Sequence, residues 1–486
     1  MIVAAILILL QTLPDAAEKA DWKTVGKLLK DGADVNAVQV DGMTALHWAA
    51  QHNQIEIARR LIQAGAKPDA ANQFGVAPLS LACVNGGEEI VALLLDAGAD
   101  PQTTLPGGET ALLSAARTGR VAPVKALLGK GAKADAADAK GQTALAWAAA
   151  DGHAAVVEAL LHAGANAKLR LKSGFTPLLF AARNGKIDVV RVLLKAGGDP
   201  NEAIEAKGGR GRGMAKNGTS ALLLAVENGH FELAVAFVDA GANPNDVRSG
   251  DGPLHALTWV RKPHRGDGED GQPAPQGSGR LTSLEFVREI VKRGADVNLA
   301  LGKGASSGGG VSAEGATPFF LAARRADLPY MKLLVELGAD PARANKDGAT
   351  PLMTAAGLGT LAPTEEAGTE EESIDAVLYL LSKGADVNVV DKNGETAMHG
   401  AAYKSLPKMV KLLADRGAKI DAWNRKNKHG WTPVLIAEGF RPGNFKPSVE
   451  TLAALHDVMR AAGLTPPPPT LRPDPAASKK GYDDKK

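Results

Sequence analysis

The chain has 486 residues, 45 % of them hydrophobic, and its 56 basic residues nearly balance 54 acidic ones, giving a net charge of +2. This balance excludes the basic surface typical of nucleic-acid-binding proteins, and a single cysteine, Cys83, excludes an internal disulfide framework. Residues 2–10 are the first predicted element, an unbroken apolar run that is too short to cross a bilayer. Its length is typical of the hydrophobic region of a secretory signal, although no basic residue precedes it and no clean cleavage site follows it.

We therefore expect residues 1–13 to be a signal-like or anchoring segment and the protein to be exported, either to a periplasm or out of the cell. One alternative is that the apolar run packs as a first helix on the element that follows it; the other is a simple membrane anchor. A cytoplasmic location is the alternative to export, and the low cysteine content fits either compartment.

A short motif that begins with a hydroxyl residue recurs along the chain. Its first five copies are 33 residues apart, and further copies follow after insertions. The hydroxyl position falls at Thr44, Ala77, Thr110, Thr143, Thr176, Ser220, Thr317, Thr350, Thr396 and Thr432. A fixed period of this size predicts a solenoid, because one such unit is too small to bury its own apolar face and needs stacked neighbours.

One period, from Asp41 to Gly65, predicts two helices. Asp41-Gly42 supplies a turn, and Thr44 can cap a short helix that Asn53 interrupts. The apolar residues of the second helix fall on one face at helical spacing: Ile55, Ala58, Leu61 and Ile62. Gly65 follows at the position where a left-handed residue would end the helix. The sequence therefore predicts a helix-turn-helix unit in each period.

These residues resemble the ankyrin repeat in several motifs that share one frame. They are Thr-Pro-Leu at 176–178 and 350–352, Leu-His at 46–47, Gly-His at 152–153 and 229–230, and Gly-Ala-Asp-Val-Asn at 32–36, 294–298 and 384–388. The resemblance covers roughly residues 14–463. It implies an all-α fold, an α-solenoid of eleven to twelve repeats. Each helix-turn-helix unit then carries a loop or β-hairpin at a right angle, and the units stack into a curved rod.

The expected organisation follows from this frame. Residues 14–40 are an N-terminal capping repeat that keeps only the second half of the pattern, residues 41–248 are a first arm, and residues 284–463 are a second arm with a C-terminal cap. Between them, residues 249–283 are a degenerate repeat that lacks the hydroxyl and carries an inserted loop, so we expect the array to be softest and to bend there. Residues 464–486 are expected to be a disordered tail.

Four insertions interrupt the frame, at residues 201–217, 261–282, 302–315 and 360–373, and we expect each to be a solvated, mobile loop. Their glycine-rich and charged motifs lack the spacing of nucleotide or calcium sites. The histidines recur at fixed positions of the frame, which indicates structural roles. The sequence therefore predicts no catalytic, cofactor-binding or metal-binding residue.

The resemblance implies that loop tips and the exposed end of each first helix line a concave protein-binding groove. Carried over through the frame, these positions are Met43, Gln51, His52, Phe74, Val76, Asn85, Glu109, Arg117, Gln142, Asp151, Phe175, Arg183, Asn184, Glu227, Trp259, Arg324, Arg325, Tyr403 and Trp431, with Val84, Thr219, Asn228, Glu395, Lys404 and Phe440 beside them. Aromatic and arginine side chains supply most anchors of protein interfaces. For Phe74 and Phe175, packing between adjacent loops is an equal alternative, and Trp147 is expected to be a half-buried wall residue.

The predicted function is a non-enzymatic scaffold, a monomer that binds an unidentified protein partner through this groove without a cofactor. One alternative is an enzyme or small-ligand binder with a pocket at the 261–282 or 302–315 insertion. The polar candidates for such a pocket are His264, Arg265, Asp267 and Glu269. The other alternative is a structural or membrane-tethered adaptor, which requires the mature protein to retain the apolar run at residues 2–10.

Overall fold

A computed structural model describes residues 12–206, 216–264, 273–303, 310–363, 365–442 and 446–470 of the chain. These residues form 25 helices and no strand, and β-pairing in their loops is limited to isolated antiparallel bridges at Thr104–Thr110, Ala137–Thr143 and Ala203–Ser220. The predicted all-α solenoid is therefore confirmed, with single bridges where a hairpin was one of the expectations. By its contacts the chain divides into two compact units, Met1–Ala225 and Val226–Lys486.

Unit 1 is a series of helix pairs. Its helices are α1 (Leu13–Glu18), α2 (Trp22–Lys30), α3 (Ala45–Gln51), α4 (Ile55–Gln63), α5 (Pro78–Asn85), α6 (Glu88–Asp96), α7 (Ala111–Arg117), α8 (Val121–Gly129), α9 (Ala144–Asp151), α10 (Ala154–His162), α11 (Pro177–Arg183) and α12 (Ile187–Lys195), and α13 (Ala221–Glu227) begins in it. First helices pack on the first helices of neighbouring pairs, and second helices pack on second helices. Paired alanines such as Ala49 and Ala50 are fully buried, which lets these helices approach closely.

The hydroxyl of the repeated motif is a helix N-cap. Thr110 Oγ1 accepts the Leu113 N–H at 3.1 Å, and Thr44 Oγ1 accepts the His47 N–H at 3.4 Å, which confirms the cap predicted there. Ala77 stands at the same position of the next repeat and has no side-chain oxygen, so α5 begins without such a bond.

Polar side chains link the loops from one repeat to the next. Asn36, the last residue of the first Gly-Ala-Asp-Val-Asn motif, donates to the Gly65 carbonyl at 3.1 Å and accepts the Lys67 N–H at 2.9 Å. One repeat later, Asp69 accepts the Asp100 N–H at 2.7 Å. These bonds join residues about one period apart, which explains why a polar residue recurs at this loop position. Gly65 itself adopts the left-handed conformation predicted for it, with φ of 94°.

The N-terminal repeat is more complete than predicted. Helix α1 begins at Leu13, whose side chain is buried, and Thr12 caps it in a reciprocal box with Asp15. The expectation that residues 14–40 keep only the second half of the pattern was wrong, because residues 13–18 form a first helix whose cap and first core residue fall within the segment 1–13 that was expected to be signal-like. Residues 1–11 lie outside the described residues. Elsewhere, none of the described helices combines the length and apolarity needed to cross a membrane.

Unit 2 repeats the helix pairs with longer connections. Its helices are α14 (Phe231–Asp239), α15 (Pro253–Arg261), α16 (Ser283–Lys292), α17 (Pro318–Arg324), α18 (Leu328–Glu336), α19 (Pro351–Ala355), α20 (Glu370–Ser382), α21 (Ala397–Lys404), α22 (Pro407–Asp415), α23 (Ile420–Trp423), α24 (Pro433–Ala437) and α25 (Val449–Ala461). The connection between the paired helices α15 and α16 spans residues 262–282, and its last residue, Thr282, caps α16. Of the predicted tail, the described residues 464–470 have no regular secondary structure and residues 471–486 lie outside the described part.

Two insertions pack against the protein where solvated loops were predicted. Val311 and Ala313 are 6 % and 2 % exposed. In the glutamate-rich insertion, Glu366 accepts the Leu361 N–H at 2.8 Å, and Glu372 closes the capping box that starts α20. The prediction was wrong for these segments because it considered charge and glycine content alone, whereas carboxylates also satisfy backbone donors. In the insertions, the residues outside the described part are 207–215, 265–272, 304–309 and 364.

Candidate functional site

The recurrent histidines connect repeats. Nδ1 of His47 accepts the Thr44 N–H at 3.1 Å, so Nε2 carries the proton and donates to the Val76 carbonyl at 2.9 Å. His399 repeats this arrangement on Thr396. Burial lowers the pKa of both imidazoles, that of His399 to about 4. Both side chains are therefore neutral structural links at neutral pH.

The predicted groove residues lie in three environments. Those that are exposed are Gln51, His52, Phe74, Val84, Asn85, Arg117, Asp151, Arg183 and Asn184. Those that are half-buried are Val76, Glu109, Gln142, Glu227, Asn228, Trp259, Arg324, Arg325, Trp431 and Phe440. Those that are buried are Met43, Phe175, Thr219, Glu395, Tyr403 and Lys404. Only the first two groups offer side-chain surface to a partner.

Met43 was expected on the surface, and this was wrong because neighbouring side chains cover it, whereas for Phe175, where packing was an equal alternative, the side chain is packed. Met43 is 7 % exposed, and its sulfur lies 3.5 Å from Nδ2 of Asn72 in the next loop. Phe175 is also 7 % exposed and packs on Phe180, with ring centroids 4.9 Å apart. Phe74, at the tip of an earlier loop, is 62 % exposed.

Two adjoining hollows open on the first helices of unit 1, and we call them together the Asp151 cleft because Asp151 lines both. The first is lined further by Gln142, Ala146, Trp147, Ala150, Leu171, Phe180, Arg183 and Asn184, and the second by Val84, Glu109, Ser114, Arg117 and Thr118. Each hollow has a volume of about 320 Å³. Seven of the predicted groove residues are brought together here, since α5, α7, α9 and α11 end side by side.

Trp147 is the central aromatic residue of the Asp151 cleft. The guanidinium carbon of Arg117 lies 4.8 Å from the centroid of its ring, within cation–π distance, and Nη1 of Arg117 is 3.3 Å from Glu109 Oε1. Nε1 of Trp147 is buried and has no hydrogen-bond partner among the described residues. Most buried donors in native proteins are paired, so this cleft lacks one acceptor. Asp151, at the centre of the cleft, is exposed and forms no ion pair within the described part of the chain.

A second cleft, the Glu395 cleft, lies in unit 2 where repeat residues meet two insertions. It is lined by Gly310, Val311, Leu358, Gly359, Thr360, Leu361, Asp391, Asn393, Glu395, Tyr403, Lys428, His429 and Pro442, and its volume is about 40 Å³. Tyr403 was expected to be exposed, and this was wrong: it is 6 % exposed, with its hydroxyl bonded inside the cleft. The lining from the insertions was missed because insertions have no position in the repeat frame.

Glu395 is the buried carboxylate of this cleft, 6 % exposed. Its Oε1 accepts from the Tyr403 hydroxyl at 3.1 Å and from Asn427 Nδ2 at 2.8 Å, whereas Oε2 has no partner among the described residues. Burial raises the pKa of Glu395 to about 7, and the charge of Asp391 adds to the rise. Asn427 was not predicted, because a loop asparagine carries no signal of this contact in the sequence.

The predicted groove arginines of unit 2 are held within the protein. Arg324 has a side chain that is 9 % exposed and lies 3.8 Å from Glu366, and Arg325 donates to the Lys262 carbonyl. Nearby, Lys404 donates to the Ala367 carbonyl at 2.8 Å. Burial lowers the pKa of Lys404 to about 8. Arg324 and Lys404 therefore support the glutamate-rich insertion, whereas Arg325 holds the start of the 261–282 insertion.

Of the four polar candidates for an enzymatic pocket, the structure describes His264. His264 Nε2 lies 3.2 Å from Arg325 Nη2, whereas Arg265, Asp267 and Glu269 lie outside the described residues. Over the described ranges, no group of three or more histidine, cysteine, aspartate or glutamate side chains is arranged to hold a metal ion. Cys83 is fully buried, and burial raises the pKa of its thiol to about 12.

Comparison with protein families decides what these helix pairs are. The profile for ankyrin repeats in three copies matches residues 13–105, 103–170 and 367–458, and the profile for a single ankyrin repeat matches residues 173–204, 217–249 and 314–346. The first profile alone covers more than half of the chain. The chain belongs to the ankyrin repeat family. The profiles match six segments, so the count of eleven to twelve repeats stays a prediction.

Several curated proteins resemble parts of this ankyrin repeat chain. The ankyrin repeat and SAM domain-containing protein 6 of Rattus norvegicus is 33 % identical over 165 residues, which are 33 % of this chain and 16 % of that protein. The B-cell lymphoma 3 protein homolog of Mus musculus is 34 % identical over 129 residues, 26 % of this chain and 25 % of that protein. The probable 26S proteasome regulatory subunit p28 of Saccharomyces cerevisiae is 29 % identical over 129 residues, 26 % of this chain and 50 % of that protein.

The chain thus spans half or less of the length of these relatives. What it shares with them is the ankyrin array. Ankyrin repeats are in general modules for protein–protein interaction, and none of the similarities points to an enzyme.

Proposed function

We propose that this ankyrin repeat chain is a non-enzymatic scaffold that binds a protein partner through the Asp151 cleft of unit 1. The observation that carries the proposal is the environment of Trp147. Its ring is half-buried under the Arg117 guanidinium, and its indole N–H has no acceptor among the described residues. Tryptophan and arginine dominate the binding energy of protein interfaces, and a backbone carbonyl of a bound segment can supply the missing acceptor.

The charges of the Asp151 cleft support the same proposal. Arg183 is exposed on one wall, with its guanidinium carbon 6.0 Å from the centroid of the Phe175 ring. Asp151 lies between the two hollows. A segment that crosses the cleft therefore meets groups of both signs in a fixed order, which sets the register and the specificity of binding more than its strength.

Charge reversal tests the cleft without touching the core. Arg183→Glu and Asp151→Lys change exposed residues of the cleft. Lys125→Glu and Glu158→Lys are the matched controls, because they make the same charge changes at exposed positions of the second helices α8 and α10. The full chain carrying each pair is used for affinity capture from the cells that produce it, with recovery of every protein measured by quantitative mass spectrometry.

We expect at least one protein to be recovered equally with the wild type and the control pair and about tenfold less with the cleft pair, a difference of about 1.4 kcal/mol in binding free energy. Equal recovery of every captured protein with both pairs would refute the cleft as the binding site. Circular dichroism of each pair confirms that the fold is intact before recovery is compared.

We also propose that the protein is exported and acts as a monomer. The support for export is the apolar run at residues 2–10. Sequencing the N-terminus of the mature protein after cell fractionation tests it. Export predicts a mature chain without this run outside the cytoplasm, a tethered adaptor predicts an intact run in the membrane fraction, and an intact soluble chain in the cytoplasm would contradict both. Light scattering should give the mass of one chain.

A further inference from the structure

The Glu395 cleft holds a buried acceptor whose neighbouring donors are already used. Asn427 Nδ2 has two hydrogens, and it donates to Glu395 Oε1 at 2.8 Å and to the Tyr403 hydroxyl oxygen at 3.0 Å. Tyr403 has a single hydroxyl hydrogen, and it donates to the same Oε1 at 3.1 Å. Oε2 of Glu395, a residue that is 6 % exposed, has no partner in the described part of the chain. The described residues around this carboxylate therefore supply one donor too few.

Charge points to the kind of group that completes the site. Asp391 adds a second carboxylate to the lining, and its Oδ1 accepts the N–H groups of Asn393 and Glu395 at 2.8 Å each. The one cation of the lining is Lys428, whose Nζ already donates to Asn393 Oδ1 at 3.1 Å. The cleft thus has two carboxylates against one ammonium, and its volume of about 40 Å³ suits a compact group.

We propose that the Glu395 cleft is a binding subsite for a primary ammonium group, which donates a charge-assisted hydrogen bond to Oε2 of Glu395. An ammonium is a compact charge with three donors, whereas a guanidinium is a broad planar fork that needs more space. The ligand is either a free alkylamine or the side chain of a lysine in a bound protein segment. This inference is independent of the Asp151 cleft, since the two sites belong to different units.

The pH dependence of binding follows from the carboxylate. Burial raises the pKa of Glu395 to about 7, so the ionised form that attracts a cation is the minor form below that pH. From pH 8 to pH 6 we expect the dissociation constant for an alkylamine to rise about tenfold, because the amine stays protonated throughout. The titratable groups that line the cleft around Glu395 are Asp391, Tyr403, Lys428 and His429, and the insertion segments add none.

Isothermal titration calorimetry of the full chain tests the proposal with n-butylamine and with 1-butanol, which has a similar shape and no charge. Glu395→Gln removes the charge, and Glu450→Gln, at an exposed position in the first turn of α25, is the matched control. Tyr403→Phe keeps the carboxylate and gives a second variant in case Glu395→Gln does not fold. His429→Gln removes the imidazole that lines the cleft, so the pH dependence that remains in this variant does not come from His429.

We expect butylamine to bind and butanol not to bind, with a loss of about tenfold or more in Glu395→Gln and unchanged binding in Glu450→Gln. Tyr403→Phe should bind the amine more weakly at pH 7, because the lost hydroxyl bond raises the pKa of Glu395 further, and His429→Gln should keep the pH dependence. Equal binding of butanol, equal binding by Glu395→Gln, tighter binding at acid pH, or binding of neither the amine nor the peptide would each overturn the proposal. The peptide Ala-Ala-Lys-Ala-Ala, compared with its norleucine analogue, identifies the source of the ammonium. Tighter binding of the lysine peptide than of butylamine assigns a protein segment, and equal or weaker binding assigns a free amine.

Discussion

Acidification should reduce the contribution that the hydrogen-bonded His399 makes to the free energy of unfolding. Its Nδ1 accepts the Thr396 N–H at 3.3 Å, while Nε2 donates to the Arg425 carbonyl at 3.2 Å. Burial lowers the pKa of His399 to about 4, compared with an ordinary value of 6.5. Between these two pH values the unfolded chain binds a proton that the folded chain does not. The free energy of unfolding therefore falls as the pH falls through this window.

From pH 7 to pH 5 the two pKa values give a loss of about 2 kcal/mol for His399, because the unfolded imidazole is almost fully protonated at pH 5 and the folded one is not. Glu395 acts in the opposite direction. Its folded pKa of about 7 lies above the ordinary 4.5, so the folded state takes up a proton first and is stabilised on acidification. That gain is of similar size, so the wild type alone does not reveal the loss at His399.

The variant His399→Gln isolates the histidine. A glutamine amide can donate to the Arg425 carbonyl and accept the Thr396 N–H, and it does not titrate. Urea unfolding of the full chain, followed by tryptophan fluorescence and circular dichroism, is measured at pH 7 and pH 5 for both proteins. We expect the wild type to lose about 2 kcal/mol more than the variant over this interval. An equal change in the two proteins would refute the interpretation that the folded imidazole is held neutral.

Three further predictions concern buried groups. Cys83 should not react with a thiol reagent in the native protein and should react fully in urea, since it is buried and burial raises its pKa to about 12; rapid native labelling would contradict this. Asp327→Ala should lower the free energy of unfolding by about 3–5 kcal/mol, because Asp327 pairs with Arg261 at 2.7 and 3.0 Å, and a loss under about 1 kcal/mol would mean that the pair is solvated. Tyr330→Phe should lose about 1 kcal/mol in the same urea assay, since its hydroxyl donates to the Leu254 carbonyl at 2.8 Å; no loss would show that this bond is not stabilising.

The sequence predicts best the features that depend only on residues of the same repeat. The cap at Thr44 and the left-handed stop at Gly65 depend on the backbone of their own helices, so the motif alone indicates them. The fixed period then predicts that each apolar face is buried against the next copy. The fold class and the family follow from these local features together.

The burial of individual groove positions is harder to predict, because it depends on the neighbouring copy. Met43 and Gln142 share one frame position, one residue before the hydroxyl, but Met43 is buried against Asn72 while Gln142 is half-buried at the Asp151 cleft. The lining of the Glu395 cleft is harder still to predict from the sequence. Part of its lining comes from two insertions, whose contacts no period constrains, and Val311 packs there although three glycines precede it in the sequence.

The repeat that begins at Gly252 lacks the hydroxyl, as the repeat at Ala77 also does, and it shows what that group contributes. Gly252 takes the place of the threonine, α15 begins without a side-chain cap, and the Nδ1 atom of His255 is buried without a partner among the described residues. In the complete motif, Nδ1 of His47 lies 2.8 Å from Thr44 Oγ1. Gly252 has φ of −103° and ψ of 171°, an extended conformation that threonine adopts at the other caps. A Cβ atom there would lie 3.2 Å from His255 Nδ1 and 3.2 Å from a methyl carbon of Val247.

Gly252→Thr should therefore raise the free energy of unfolding by about 1 kcal/mol, because the new hydroxyl can cap α15 and donate to His255 Nδ1. The Val247 side chain has to move by a few tenths of an ångström to admit the new atoms, which makes Gly252→Ala the decisive control. Alanine adds the same Cβ and stiffens the unfolded chain, but it brings no hydroxyl. Urea unfolding at pH 7 compares the three proteins. If alanine stabilises the protein as much as threonine does, the gain comes from the backbone, and the role assigned here to the repeated hydroxyl is wrong.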